Sequence, residues 1–227
     1  RLLRAIPVAD GPVRALALFP DGRTLLVSAE GAPIAALDLE TGQPLRSWPR
    51  HPGFATSLAA AGGGRLVVSG GSDRLVRVWD AGGGLLHALA GHEDAVTAVA
   101  AGRTVAVSAG RDGTVRAWSL DGTALATLRG HEGRVLAVAL DEERSRVVSA
   151  GEDGTVREWG LRSHALVHSA RSHGQPVNAL ALYRLEGGQV HPAPFQIDRR
   201  ICTGSGSGAT GSPLEDSHMG DQSGRRS

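Results

Sequence analysis

Lysine is absent from the sequence, so all 24 basic residues are arginine, and 23 acidic residues balance them to a formal net charge of +1. No run of basic residues stands out along the chain. Proteins that bind nucleic acid or an anionic membrane surface usually concentrate positive charge on one face. The composition therefore argues against nucleic-acid and membrane partners.

Cysteine and long apolar runs are also scarce. The single cysteine, Cys202, excludes an internal disulfide framework and a cysteine-rich zinc site. It fits a reducing compartment, so we expect a cytoplasmic or nuclear protein. No apolar run reaches the roughly 18 residues that span a bilayer, and the first residues do not read as a signal peptide, so we expect neither feature. Because residue 1 is arginine, we also expect the sequence to be a fragment of a longer protein.

Aromatic residues make up only 4% of the chain, so Val, Leu and Ala must supply most of the core. What the chain does contain is a repeat. The stretch from Gly91 to Asp121 holds a Gly-His pair, an alternating apolar run, a serine, an Asp-Gly turn and a tryptophan. These landmarks recur about every forty residues, at His51, His92, His131 and His173 and at Trp79, Trp118 and Trp159. Chance does not keep several residue types in step over three periods, so the pattern indicates a repeat array.

Each copy contains four short alternating runs, which predict four strands. In the copy that begins at Gly91 they run from Val96 to Ala100, Val105 to Val107, Val115 to Trp118 and Leu125 to Leu128. Four strands joined by tight turns make one small antiparallel sheet, which cannot bury both faces alone. Sheets stacked face to face around an axis bury them, so we predict an all-β propeller.

The landmarks resemble those of the WD40 family, through Gly91-His92, Gly130-His131 and Trp79-Asp80. The other tryptophans depart from the pattern, since Trp118 precedes Ser119 and Trp159 precedes Gly160. The resemblance spans roughly residues 1–210 and implies a WD40-type β-propeller with four full blades and a partial fifth. Because seven blades are usual for the family, we expect the ring to be open or truncated.

The repeats divide the chain into residues 7–50, 51–90, 91–129 and 130–170, with a partial fifth at 171–210. Residues 1–6 align with the fourth strand of a repeat and are predicted to be an orphan outer strand. The first repeat has eroded landmarks, because Ala9 and Leu37 stand where the histidine and tryptophan are expected. Residues 211–227 hold almost no large apolar side chain, so we predict a disordered tail.

The fifth repeat begins with His173 and a predicted strand from Val177 to Tyr183, before an insertion that contains Pro192 and Pro194. The run from Gly206 to Gly211 then has the spacing of a dinucleotide-binding loop. That chemistry requires a helix N-terminus to meet the phosphates, and the following residues predict no amphipathic helix. We interpret the run as an eroded blade turn and expect no cofactor.

Histidine, serine, aspartate and tryptophan recur together in repeats two, three and four. The sets are His51, Ser69, Asp73 and Trp79; His92, Ser108, Asp112 and Trp118; and His131, Ser149, Asp153 and Trp159. The resemblance implies that such a set forms a buried hydrogen-bond relay, in which Asp bonds to His, His bonds to Ser and Ser bonds to the indole N–H. Satisfied buried polar groups would rigidify a sheet with few large apolar residues.

A hydrolase triad is the alternative to this structural relay. A catalytic serine needs an exposed hydroxyl and an oxyanion site, and three parallel copies would be unusual. No second histidine lies four positions from His92 or His131, as a zinc pair would need. We therefore predict a non-catalytic protein without a metal site.

The family resemblance implies a rigid platform for protein or peptide partners. Upper-face contacts in the family commonly come from residues that flank the first apolar residue of strand one, and from the residue before the turn aspartate. The principal candidates are Phe54, Arg111, Arg134, Glu152 and Asn178, and further residues of this kind are Thr56, Ser72, Ala95, Thr97, Leu136 and Pro176. Two alternatives stay open: a regulatory or substrate-recognition WD40 domain of a larger signalling or ubiquitin-ligase protein, and a propeller hydrolase.

Overall fold

A computed structural model describes residues 5–8, 11–171 and 175–180, and these contain sixteen strands in four antiparallel sheets of four. Blade 1 is β1 (Val13–Leu18), β2 (Thr24–Ala29), β3 (Ile34–Asp38) and β4 (Pro44–Trp48). Blade 2 is β5 (Ala55–Ala61), β6 (Leu66–Gly71), β7 (Val76–Asp80) and β8 (Leu85–Leu89). Blade 3 is β9 (Val96–Ala101), β10 (Val105–Gly110), β11 (Thr114–Ser119) and β12 (Ala124–Arg129). Blade 4 is β13 (Val135–Asp141), β14 (Arg146–Gly151), β15 (Thr155–Gly160) and β16 (Leu166–Arg171).

The blades stack side by side through their first strands, because β1 packs on β5, β5 on β9 and β9 on β13. These four are therefore the inner strands, and β4, β8, β12 and β16 are the outer ones. The prediction of four full blades in an all-β propeller is confirmed. So are the four strands expected in the copy that begins at Gly91.

The core lies between neighbouring blades and is built mostly from valine, alanine and leucine, as the composition predicts. In blades 2 to 4 the tryptophan of the third strand packs toward the preceding blade: Trp79 joins Leu26 and Ile34 of blade 1, and Trp118 joins Val68 and Val78 of blade 2. Trp159 packs in the same way on blade 3. Blades 2 and 3 thus bury their two faces against two different neighbours, which one sheet could not do alone.

A repeated hydroxyl bond also links each blade to the next. In all three cases the acceptor is the backbone carbonyl of the first residue of the next inner strand: Ser28 Oγ donates to Ala55 (3.0 Å), Thr56 Oγ1 to Val96 (2.6 Å) and Thr97 Oγ1 to Val135 (2.5 Å). Leu136, the blade 4 counterpart of Thr97, has no hydroxyl to donate. The three junctions between described blades therefore share one polar link.

The arc of blades is open at blade 1. Leu16 and Leu18 on β1 are 60% and 55% exposed. Leu58 and Val99, which occupy the position of Leu16 in blades 2 and 3, are buried against the preceding blade. The apolar face of blade 1 has no such neighbour within the described part of the chain, which confirms the expected open arrangement.

At the other end, Val177 covers part of blade 4. Its side chain packs with Val148, Ala150 and Val156, and its backbone N–H donates to the carbonyl of Gly151 at 3.2 Å. The predicted strand from Val177 is not seen in residues 175–180, which have no regular secondary structure, because only this single backbone contact anchors them to blade 4.

Most of the other predictions for the two ends of the chain concern residues outside the described ranges. Residues 5–8 form no strand, and the rest of the predicted orphan strand lies outside the described residues. His173, Cys202, the insertion, the glycine-rich run from Gly206 and the tail at 211–227 also lie outside them. In the described ranges, no helix is both long and apolar enough to cross a membrane.

Candidate functional site

The blade 3 relay brings four side chains together from two strands and two connections. His92 lies on the connection from β8 to β9, and its Nε2 is 2.8 Å from Ser108 Oγ on β10. Its Nδ1 is 2.8 Å from Asp112 Oδ2, on the turn that leads into β11. Trp118 of β11 donates its indole N–H to Ser108 Oγ at 2.9 Å. The sheet register dictates this meeting, because Ser108 and Trp118 lie on adjacent paired strands.

The donors fix the direction of the relay. An indole N–H can only donate, so Ser108 Oγ accepts from Trp118 and is free to donate its own proton. An ionised carboxylate can only accept, so His92 Nδ1 carries the proton that meets Asp112, and Nε2 accepts from Ser108. With Nε2 as an acceptor the histidine is neutral, and each proton of the relay lies in one hydrogen bond.

Blades 2 and 4 repeat the arrangement. Blade 2 joins His51 to Ser69 (2.7 Å), His51 to Asp73 (3.1 Å) and Trp79 to Ser69 (2.8 Å); blade 4 joins His131 to Ser149 (2.8 Å), His131 to Asp153 (3.0 Å) and Trp159 to Ser149 (2.8 Å). All three serines have an exposed fraction of 0%. The structure thus brings together all twelve residues of the predicted sets.

Burial and hydrogen bonding shift the relay pKa values in a consistent way. Burial lowers the pKa of His51, His92 and His131, which keeps the rings neutral. Burial alone would raise the pKa of Asp153, but hydrogen bonds from Thr155 and from the backbone of Glu132 outweigh it and lower that pKa to about 2. The relay therefore pairs a neutral imidazole with an ionised carboxylate.

Sequence reasoning missed a fifth member of the relay. Thr114 and Thr155 donate their hydroxyls to Oδ1 of Asp112 and Asp153, at 2.8 Å in both blades. The repeated Asp-Gly-Thr tripeptide at both turns was the available signal. Blade 2 lacks this member, because Leu75 stands at the same position.

Blade 1 has no relay, as its eroded landmarks predict. Val27 and Leu37 occupy the serine and tryptophan positions, and both are buried. Trp48 lies on the outer strand β4, where its indole N–H donates to the backbone carbonyl of Asp80 in blade 2 at 2.8 Å. It therefore joins two blades and does not replace the missing relay tryptophan.

Comparison with known families agrees with this geometry. The model of the WD domain, G-beta repeat, matches residues 42–80, 83–119 and 122–160. These matches cover half of the chain. The chain belongs to the WD40 repeat family. WD40 repeat proteins generally serve as scaffolds for protein interactions.

Individual relatives cover only parts of the WD40 array. WD repeat-containing protein 81 of Danio rerio is 40% identical over 72 residues, which is 32% of this chain and 3% of that protein. The Homo sapiens protein of the same name is 39% identical over 69 residues, or 30% of this chain and 4% of that protein. The solved structure of U3-55K superposes with a TM-score of 0.71 at 27% identity, and covers 77% of this chain and 56% of that one.

The predicted partner-binding residues lie on the rim formed where inner strands begin, which we call the entry rim. In each WD40 blade, the residue before the inner strand is bonded to the residue before the relay turn. The backbone N–H of the turn residue donates to the carbonyl of the entry residue: Glu30 to Pro12 (3.0 Å), Ser72 to Phe54 (3.0 Å), Arg111 to Ala95 (2.9 Å) and Glu152 to Arg134 (2.9 Å).

Four of the five principal candidates are exposed. Arg111, Arg134, Glu152 and Asn178 present more than a third of their surface to solvent, and Arg134 lies 3.5 Å from Glu152. Phe54 departs from the prediction of an open aromatic, because the guanidinium of Arg14 lies 4.9 Å above its ring and leaves it half-buried.

Two further rim candidates also contact the next blade. Thr56 and Thr97 donate their hydroxyls to backbone carbonyls of that blade, so these hydroxyls join blades, and partner binding by the two residues stays a prediction. Arg14 was missed, although it occupies the position of Thr56 in blade 1. It forms an ion pair with Glu30 and caps Phe54. The alignment of Val13 with Ala55 was the signal that could have found it.

Proposed function

We propose that this protein is a non-catalytic platform that recognises protein or peptide partners through the entry rim. One contrast carries the proposal: the rim side chains Arg111, Arg134 and Glu152 are exposed, while the relay serines that might act as nucleophiles are fully buried. Arginine is among the side chains that contribute most to binding at interfaces.

The relay supports a structural role. Each serine hydroxyl is held between an indole N–H and an imidazole, so it has no free direction in which to attack a substrate. In the described part of the chain, no group of three or more His, Cys, Asp or Glu side chains could hold a metal ion. A catalytic site in this fold would therefore have to use residues other than the repeated His, Ser and Asp of the relays. The single cysteine in the sequence supports a cytoplasmic or nuclear location.

Selection of binding peptides tests the proposal. The 227-residue chain is immobilised and used to select from a displayed library of random peptides. We expect selected peptides to lose at least tenfold in affinity on Arg111→Ala or Arg134→Ala. Arg144→Ala is the matched control for Arg134→Ala, since both arginines are exposed and ion-paired but Arg144 lies on the β13–β14 turn at the opposite end of the blade.

Two results would overturn the proposal. One is a library that yields no peptide whose binding saturates. The other is a set of peptides that tolerate both rim substitutions and lose affinity with Arg144→Ala, which would move the binding surface to the opposite face.

A further inference from the structure

Among the phenylalanines and tryptophans that the structure describes, only Phe54 reaches solvent. Phe19 and the four tryptophans are buried, whereas Phe54 is half-buried on the connection that leads into β5. Ser72 holds the backbone of Phe54 twice: its N–H donates to the Phe54 carbonyl at 3.0 Å, and its Oγ accepts the Phe54 N–H at 3.1 Å. The backbone that carries the ring is therefore fixed on the entry rim.

The guanidinium of Arg14 lies over this ring. The two groups belong to neighbouring blades, and the guanidinium carbon is 4.9 Å from the ring centroid. The same guanidinium is ion-paired with Glu30, whose own backbone N–H donates to the Pro12 carbonyl at 3.0 Å. A ring below it and a carboxylate beside it thus limit the directions in which the guanidinium can move.

The remaining side of the guanidinium faces solvent. The Arg14 side chain is still 41% exposed, although it contacts both Phe54 and Glu30. A guanidinium is planar and more weakly hydrated than an ammonium group, and it stacks readily on aromatic rings. A second ring on the solvent side would enclose the cation between two rings, where water screens the attraction less.

We propose that Arg14 and Phe54 form a stacking site for one aromatic side chain of the peptide partner, which packs on the solvent side of the Arg14 guanidinium. The site takes a Trp, Tyr or Phe residue. This proposal rests on the proposed function and adds the class of residue that the rim selects between blades 1 and 2. Because the ring of Phe54 and the carboxylate of Glu30 already orient the guanidinium, binding has to order little of the protein side.

Charge at the site favours a neutral ring over a charged ligand. Glu30 already compensates the charge of Arg14, and it would repel a carboxylate or a phosphate of the partner. A lysine or arginine of the partner would meet the Arg14 cation in front of the ring of Phe54. A neutral aromatic ring avoids both repulsions and leaves the existing contacts in place.

Blade 4 supplies a matched comparison. Arg134 is also an exposed rim arginine, and it lies 3.5 Å from a rim glutamate, Glu152. Within the described ranges, a ring lies under Arg14 but none lies under Arg134. Arg134→Lys therefore controls for the loss of a rim guanidinium that has no aromatic partner.

Selection from a displayed library of random peptides tests the proposal. The wild-type 227-residue chain, Arg14→Lys and Arg134→Lys are used in parallel, and the selected peptides are sequenced. Lysine keeps the charge that pairs with Glu30 but has no planar face. We expect Trp, Tyr and Phe to be enriched on the wild type and on Arg134→Lys, and this enrichment to fall at least about twofold on Arg14→Lys. Equal enrichment on all three proteins would overturn the proposal.

Binding measurements give a second test. The probes are a selected peptide with one tryptophan and its leucine analogue. Arg14→Lys should weaken the tryptophan peptide about three- to fivefold, as expected for a cation–π contact at an exposed site, and should change the leucine analogue less. Phe54→Leu should act in the same direction, and it decides if Arg14→Lys lowers the folded fraction. Equal losses for the two peptides would show that the ring does not stack on Arg14.

Arginine side-chain NMR locates the contact. The face of an aromatic ring moves nearby proton resonances upfield, so the Hε resonance of Arg14 should move further upfield with the tryptophan peptide than with its leucine analogue. The Hε resonance of Arg134 is the internal control and should respond equally to both peptides. An Arg14 resonance that moves downfield, toward the position of a free arginine, would show that the peptide displaces Arg14 from Phe54, which contradicts the stack.

The outcome separates the two proposals. Library peptides that lose affinity on Arg111→Ala or Arg134→Ala, but show no aromatic enrichment and tolerate Arg14→Lys, would leave the platform standing and refute the stacking site. A library that yields no saturable binder would refute both proposals.

Discussion

At the scale of single residues, the blades contain few aromatic side chains and bury hydrogen-bonded polar side chains in their interior. The relay buries a serine, a histidine and an indole N–H in each of three blades, and every donor has an acceptor. In the low-dielectric interior such bonds strengthen one another, whereas an unpaired member costs more than it would in water. Removal of one member should therefore cost more than the mean value of a hydrogen bond.

The turn aspartates are the first place to test this. Asp112→Ala removes the acceptor for His92, for Thr114 and for the backbone of Glu93, so we expect a loss of about 1–3 kcal/mol in unfolding free energy. Asp153→Ala should behave alike. Chemical denaturation measures both. Glu93→Ala, at an exposed acidic residue of the same blade, is the control and should change little. Wild-type stability in Asp112→Ala would contradict the structural role.

Acid should destabilise the protein through the three relay histidines. Burial lowers their pKa in the folded chain, so below about pH 6.5 the unfolded chain binds more protons than the folded one. Stability should then fall with pH, by up to about 1.4 kcal/mol per pH unit for each histidine. The carboxylates add to this at lower pH, since Asp153 loses its ionised form only near its pKa of about 2.

Thermal melts between neutral pH and about pH 5 would measure the slope. The exposed His168→Gln variant is the control and should keep the wild-type slope. A midpoint that does not move over this range would show that the relay histidines are not held neutral by the fold.

A glycine next to the relay should also resist substitution. A Cβ on Gly110 would lie 2.5 Å from both His92 Nδ1 and Asp112 Oδ1. We expect Gly110→Ala to cost about 1–3 kcal/mol by overpacking. Blade 1 supplies the comparison, because it has no relay and carries Ala29 at the same register position. In a denaturation measurement, Ala29→Gly should lower the unfolding free energy less than Gly110→Ala does. Wild-type stability in Gly110→Ala would contradict the tight packing around the relay.

At the scale of the element, the strands could be predicted and their cross-blade partners could not. Alternating apolar residues and tight turns mark the strands of blade 3. Four such strands in succession predict one antiparallel sheet. The sequence shows threonine at positions 56 and 97 but not where each hydroxyl points, because the acceptor is a backbone carbonyl of the next blade. Backbone acceptors have no residue type, so no sequence pattern records them. Alignment of Val13 with Ala55 could place Arg14 at the rim, but not show that its guanidinium lies over the ring of Phe54.

The hydroxyl bond between blades should contribute measurably to stability. Thr97→Val keeps the shape of the side chain but removes the donor to the Val135 carbonyl, so we expect a loss of about 1 kcal/mol. Thr97→Ser keeps the donor and should recover most of that loss. Amide hydrogen exchange would show faster opening of β13 in the valine variant. Equal stability of both variants would show that the bond adds nothing.

At the scale of the whole molecule, the open arc leaves one sheet face with exposed leucines. An exposed apolar face favours self-association. We expect the sedimentation coefficient of the 227-residue chain to rise with protein concentration, and the double substitution Leu16→Glu, Leu18→Glu to reduce that rise. A single sedimentation coefficient at all concentrations would contradict the prediction.

We expect partners to bind the entry rim, while the relay only supports the rim from within the blades. Hydrogen exchange with mass spectrometry, with and without a library-selected peptide, tests this most directly. Peptide binding should slow exchange in the rim segments, at residues 93–97, 110–113, 132–136 and 151–154, and leave the opposite turns at 102–104 and 142–145 unchanged. Slowed exchange confined to those opposite turns, or to the outer strands, would contradict it.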